Sequence, residues 1–139
     1  MRTRLRHLRH GSRVFTWRAE IRHVRGDKDC HRCVRVRVWG AGKNGQALQA
    51  DLLSLFVGPW GCATDGSYPT PADVRALIVY ALRNGWDPER RGGTYALTEM
   101  QHGETFTLTD FLLTDRLRTP FGADPTDRVL AAFDARQQS

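Results

Sequence analysis

Five residues early in the chain have the types and spacing to follow a phosphate backbone: Arg18, Arg22, Arg35, Arg37 and Trp39. On two paired strands, alternate positions share a face. Arg18 and Arg22 then lie across from Arg35 and Arg37, with Glu20 between them and Trp39 at the end. Guanidiniums neutralise phosphates and an indole can stack a base. The same face also works as plain solvated surface, its arginines paired with acids from elsewhere in the chain. The chain carries neither the aromatic-rich strands of an RNA-recognition motif nor the GxxG loop of a KH domain.

The thiols are the next chemistry-bearing group. Cys30-His31-Arg32-Cys33 is a CxxC with a histidine inside it. A structural zinc site takes four ligands, usually as two such pairs. No second pair exists: Cys62 and His102 are scattered singles, and His23 is the nearest other candidate. Redox CxxC motifs open a helix after a strand, whereas this one opens a strand after a turn. The expectation is ordinary thiols beside a hairpin turn, with no metal and no cofactor. Gly61-Cys62, in a glycine-rich loop, could present a nucleophilic thiol with His102 as its base, but no spacing brings the two together. Gly40-x-Gly42-Lys43-Asn44-Gly45 lacks the spacing and the hydroxyl of a phosphate-binding loop. GxSxG, HExxH and GxGxxG are absent, so no catalytic residue is assigned.

The elements that must position these groups follow from periodicity. Residues 14–24 alternate, with Phe15, Trp17, Ala19 and Ile21 opposite Thr16, Arg18, Glu20 and Arg22, which predicts a half-buried strand. Residues 33–39 alternate again, with Val34, Val36 and Val38 facing the core. Gly26-Asp27-Lys28-Asp29 supplies the turn of an antiparallel hairpin. Residues 46–56 fit either a strand face or a helix stripe, and the preceding Asn44-Gly45 turn favours a third strand. Residues 57–69, rich in glycine and proline, read as a loop.

Thr70, Pro71 and Asp73 spell a helix start, and Val74, Leu77, Ile78 and Ala81 form its buried stripe. Gly85 closes that helix, with Trp86 stapling back and Pro88 preventing continuation. Residues 94–98 and 105–113 predict a second hairpin, turned at His102-Gly103-Glu104. Asp124-Pro125-Thr126-Asp127 starts a short C-terminal helix with Val129, Leu130 and Phe133 on its apolar side. The fold class is α+β: an antiparallel sheet from N-terminal and C-terminal hairpins with two helices on one face, in the order β-β-β-α-β-β-α.

Composition bounds the function. The 139 residues are 40% hydrophobic and 26% charged, with no apolar run near the ~20 residues of a membrane span. Residues 1–12 read as a basic, flexible tail and 13–139 as one α+β domain. The odd cysteine count and the lack of an apolar segment after the basic start point to a cytoplasmic protein. The net charge of +6 is uneven: residues 1–43 hold thirteen Lys/Arg against three acids. An acidic partner is one explanation. A bias towards arginine is the other, since arginine outnumbers lysine nineteen to two. The reading that fits best is a small non-enzymatic binding module, of adaptor, accessory or immunity type, that recognises a protein or a second copy of itself. The alternatives are a nucleic-acid-binding protein using the five residues above, and an enzyme using Cys62 or His102.

Overall fold

The computed structural model describes residues 4–40, 44–58 and 60–138. The chain is α+β, with a sheet ordered β1-β2-β3-β4-β5 and a sixth strand, β6, paired to β4. It divides into two compact units, one of Met1–Glu20, Arg35–Ala50 and Pro69–Leu97, the other of Ile21–Val34, Asp51–Tyr68 and Thr98–Ser139. Strands β2 (Arg13–Arg25), β3 (Cys30–Trp39) and β4 (Ala47–Ser54) contribute residues to both.

In the first unit, β1 (Arg6–His10) pairs antiparallel with β2, Leu8 opposite Phe15 and His10 opposite Arg13. Within the tail expected over residues 1–12, Arg6–His10 is thus a paired strand, and residues 1–3 lie outside the described residues. Gly11 takes φ +63 at the first position of a two-residue turn, a conformation that suits glycine and the twist of a tight hairpin. Leu8 is the residue of β1 that packs into the core, and Arg6 lies over the Trp17 ring at 5.7 Å. Phe15, Trp17, Ala19, Val36 and Val38 are buried as the alternation predicts.

Helix α1 (Pro71–Arg83) covers this core with Val74, Leu77, Ile78 and Ala81. Its capping box is complete: Thr70 Oγ1 accepts from Asp73 N at 3.1 Å, and Asp73 Oδ2 accepts from Thr70 N at 2.9 Å. Gly85 adopts φ +110, and Trp86 N bonds back to Ala81 O at 2.9 Å. The Trp86 ring stands 5.7 Å from Phe15, and its Nε1 donates to Gln46 O at 2.9 Å. The staple is thus hydrogen-bonded as well as buried.

Within residues 46–56 the third predicted strand does form, as β4 (Ala47–Ser54), buried on both faces. The expected C-terminal hairpin does not form. In the first unit β5 (Thr94–Leu97) pairs parallel with β4, Ala47 opposite Thr94. In the second, β6 (Phe111–Leu113) pairs antiparallel with β4, Leu52 opposite Leu113. The connection between them is not a tight turn because Thr98 Oγ1 accepts from Gln101 N at 3.1 Å and starts a single helical turn, α2 (Glu99–His102). The sheet is therefore mixed.

In the second unit the β2–β3 connection is residues 26–29, closed by Gly26 N to Asp29 O at 2.7 Å. Four residues cannot make a parallel crossover, so these neighbours are antiparallel. Val24, Cys33 and Leu53 pack on Val129 of α3 (Pro125–Gln137). That contact explains a second correction: Ile21, expected in the core, is 47% exposed. Ile21 and Val24 are three apart on β2 and point to opposite sides, and α3 lies on the Val24 side. Leu130 and Phe133 of α3, assigned to its apolar face, are also partly exposed.

Candidate functional site

The hairpin end of the second unit is built around a turn that admits only glycine. A Cβ at Gly26 would stand 2.0 Å from Thr126 Oγ1 and 2.8 Å from Asp124 Oδ1. Into that space comes the start of α3. Asp124 caps the helix through Thr126 N at 2.9 Å, and its two carboxylate oxygens accept Asp27 N at 3.1 and 3.0 Å. His31 Nε2 meets Thr126 Oγ1 at 2.8 Å. The opposite wall comes from residues 56–58 and 61–65. Arg32 donates to the Asp65 carbonyl, and Asp65 Oδ1 accepts from Ser67 N at 2.9 Å.

This packing gathers three metal-ligating side chains from three places in the sequence. His23 comes from β2, Cys30 from the start of β3, and Cys62 from a 3-10 turn over Gly61–Thr64. Their donor atoms all lie within 4.8 Å of one another. Trp60, at φ +71, and Gly61, at φ +57, make the bend that presents Cys62. Cys30 and Cys62 also line a cleft of about 140 Å³ whose apolar wall includes Phe56, Val57 and Leu130 and whose polar edge includes His31 and Asp65.

Electrostatics set the resting state. Burial pushes the Cys30 thiol above its ordinary value. The bonded Cys62 thiol and Asp29 push in the same direction, against Arg25. Burial also lowers the His31 imidazole, while Asp29, Asp124 and Asp65 pull it back up.

No family model, curated protein or solved structure matches this chain. Its chemistry therefore rests on its own residues.

The CxxC does not act as a pair. Cys30 and Cys33 are three apart on a strand and face opposite sides, and Cys33 is wholly buried with Val24, Leu53 and Val129. The histidine beside Cys62 is His23, not His102. His102 is buried in α2, where its Nδ1 accepts from Thr98 N at 3.0 Å. The structure brings together Arg18, Arg37 and Trp39 of the basic set, all in the first unit. Both guanidiniums lie over the indole, at 5.6 and 5.5 Å. Arg18 also pairs with Glu20 at 3.4 Å, and Arg37 reaches Thr94 Oγ1 at 3.5 Å. Arg35 is half-buried on β3, and Arg22 is exposed in the second unit. The glycine-rich segment at residues 40–45 lies partly outside the described residues.

Sequence reasoning missed the company of Cys62. Thirty-two residues separate it from Cys30, and no spacing rule connects the two. The available signal was His23 and Cys30 flanking one short turn, with a third soft ligand in a loop able to fold back.

Proposed function

We propose that the chain is a small non-enzymatic binding module that docks a protein through the cleft and loop of the second unit. The observation that carries this reading is the distribution of exposed apolar side chains. Nine of the eleven large ones among the described residues fall in the second unit. Three of them, Phe56, Val57 and Trp60, sit in one loop. Phe56, Val57 and Leu130 line the cleft, whose volume suits one anchoring side chain of a partner. Interfaces concentrate binding energy in such pockets and in rim aromatics, tryptophan above all.

Trp60 is 82% exposed and holds a left-handed backbone conformation. That conformation costs a non-glycine residue about 1–2 kcal/mol, and its exposed ring recovers little of this by burial. A costly, solvent-facing tryptophan is better accounted for by an interface than by folding. Thiol catalysis by Cys62 with His102 as its base has less support, since His102 is engaged with Thr98 N in α2.

The test is affinity capture from host extract, with and without nuclease, by wild type, Val57→Asp and Trp60→Gly. Glycine adopts the same φ without strain, so the second variant should fold. The expected result is one protein retained by wild type in both extracts and reduced at least tenfold with either variant. Retention that nuclease abolishes, or that both variants keep, overturns the reading.

A further inference from the structure

We propose that His23, Cys30 and Cys62 form a site for a thiophilic divalent cation, zinc in the first instance, with the fourth coordination position left to water or to a group entering the cleft. The proposal is independent of the docking surface, since it rests on the three donors and not on the apolar wall.

Geometry supports it first. Tetrahedral zinc with bonds of about 2.3 Å to sulfur and 2.0–2.1 Å to nitrogen places its ligand atoms about 3.5–3.8 Å apart. The three donors lie within 4.8 Å of one another. Closing the remaining ångström is within reach of side-chain rotation, because His23 is exposed and both thiols are only partly buried. The backbone around the site is fixed by the Gly26–Asp29 bond and the bonds of Asp27 and Thr126 to Asp124.

Donor chemistry then selects the ion. Two thiolates and an imidazole favour zinc and other soft or borderline metals over magnesium and calcium, which prefer oxygen. On binding, each thiol gives up its proton to solvent, and the two thiolates balance the dication. Three protein ligands with one open position is also the arrangement of catalytic zinc sites, whereas structural sites are closed by four. Cys30 and Cys62 border the cleft, so the open position can be reached from solvent.

Cobalt(II) is the probe, added to the reduced, full-length protein. The expected result is one equivalent bound with a thiolate-to-cobalt charge-transfer band and the visible bands of a tetrahedral ion. Cys30→Ser and Cys62→Ser should each lose at least about half of the charge-transfer intensity, His23→Ala should weaken binding at least tenfold, and Cys33→Ala should retain the full spectrum. Absence of the band in wild type, or its survival at full intensity in Cys62→Ser, overturns the site. Should a variant fail to fold, wild type alone decides. Zinc should slow iodoacetamide labelling of Cys30 and Cys62 by at least tenfold, as mapped by peptide mass, and equal labelling with and without zinc overturns the proposal.

Discussion

A strand displays residues to its two sides in turn, and that rule separates Cys30 from Cys33 more firmly than their short spacing joins them. One thiol becomes part of the Val24–Leu53–Val129 core and the other reaches the cleft. A local motif was legible in the sequence, but its partners were not, because His23, Cys30 and Cys62 meet only through the hairpin and the returning loop. Gly26 sits at the same junction and offers a direct test of it. A Cβ there must displace Thr126 Oγ1 or the helix start itself. Gly26→Ala is expected to destabilise the protein by about 1–3 kcal/mol, as overpacking does. Gly66→Ala, where nothing lies within 4 Å of the added carbon, should be near neutral. Urea unfolding of the two variants beside wild type makes the comparison, and equal midpoints would show that the turn does not set the position of α3.

At the scale of elements, legibility followed the range of the forces involved. Helix α1 was readable to within a residue because its cap, stripe and stop are all local. Thr70→Ala is expected to cost about 1 kcal/mol, since it leaves the Asp73 N–H without its acceptor, and thermal or urea unfolding reads that loss. Strand β1 was missed because arginines and histidines hide its one buried leucine. The pairing of β5 and β6 was misread because both are short and their partner, β4, lies far away in sequence. Helix α2 was invisible at four residues, although it is tied down at its start. Asp115 accepts Glu99 N at 2.9 Å, Met100 N at 3.2 Å and Arg118 Nη2 at 2.8 Å. Burial alone would raise this carboxyl, but the two N–H bonds and Arg118 hold it below its ordinary value. A depressed folded pKa adds stability that is present above the unfolded value, near 3.9, and disappears as pH falls through the folded one. Asp115→Asn should therefore cost about 1–2 kcal/mol at pH 5–7, and its deficit against wild type should shrink below about pH 4. A deficit that stays constant down to pH 2.5 in urea titrations would remove Asp115 from the acid transition.

For the molecule as a whole, the charge asymmetry of the sequence carries over into the two folded units. The first unit holds thirteen Lys/Arg against four acids, a net +9, and the second holds eight against eleven, a net −3. The apolar exposure runs the other way, concentrated in the acidic unit. The described residues include no helix long and apolar enough to cross a membrane. A net +9 unit will attract any polyanion at low salt, so attraction alone does not identify a nucleic-acid interface. What distinguishes one is a set of arginines available to phosphates. Arg18 and Arg37 are already engaged over Trp39, and they also contact Glu20 and Thr94 respectively. A base stacking on that indole would compete with these two guanidiniums for the ring. Duplex DNA is therefore expected to bind wild type only in the non-specific range, about 10⁻⁴ to 10⁻⁶ M at ~0.15 M salt. The Arg35→Glu, Arg37→Glu double variant should differ little beyond the loss of general charge. Four dedicated phosphate contacts would instead give a slope of log affinity on log salt of about −3 to −4, submicromolar affinity at physiological salt, and collapse in the double variant. A salt titration of both proteins by fluorescence anisotropy, with Trp39 quenching by single strands as a second readout, separates the two cases. The steep, variant-sensitive outcome would move the functional surface from the loop of the acidic unit to the strands of the basic one.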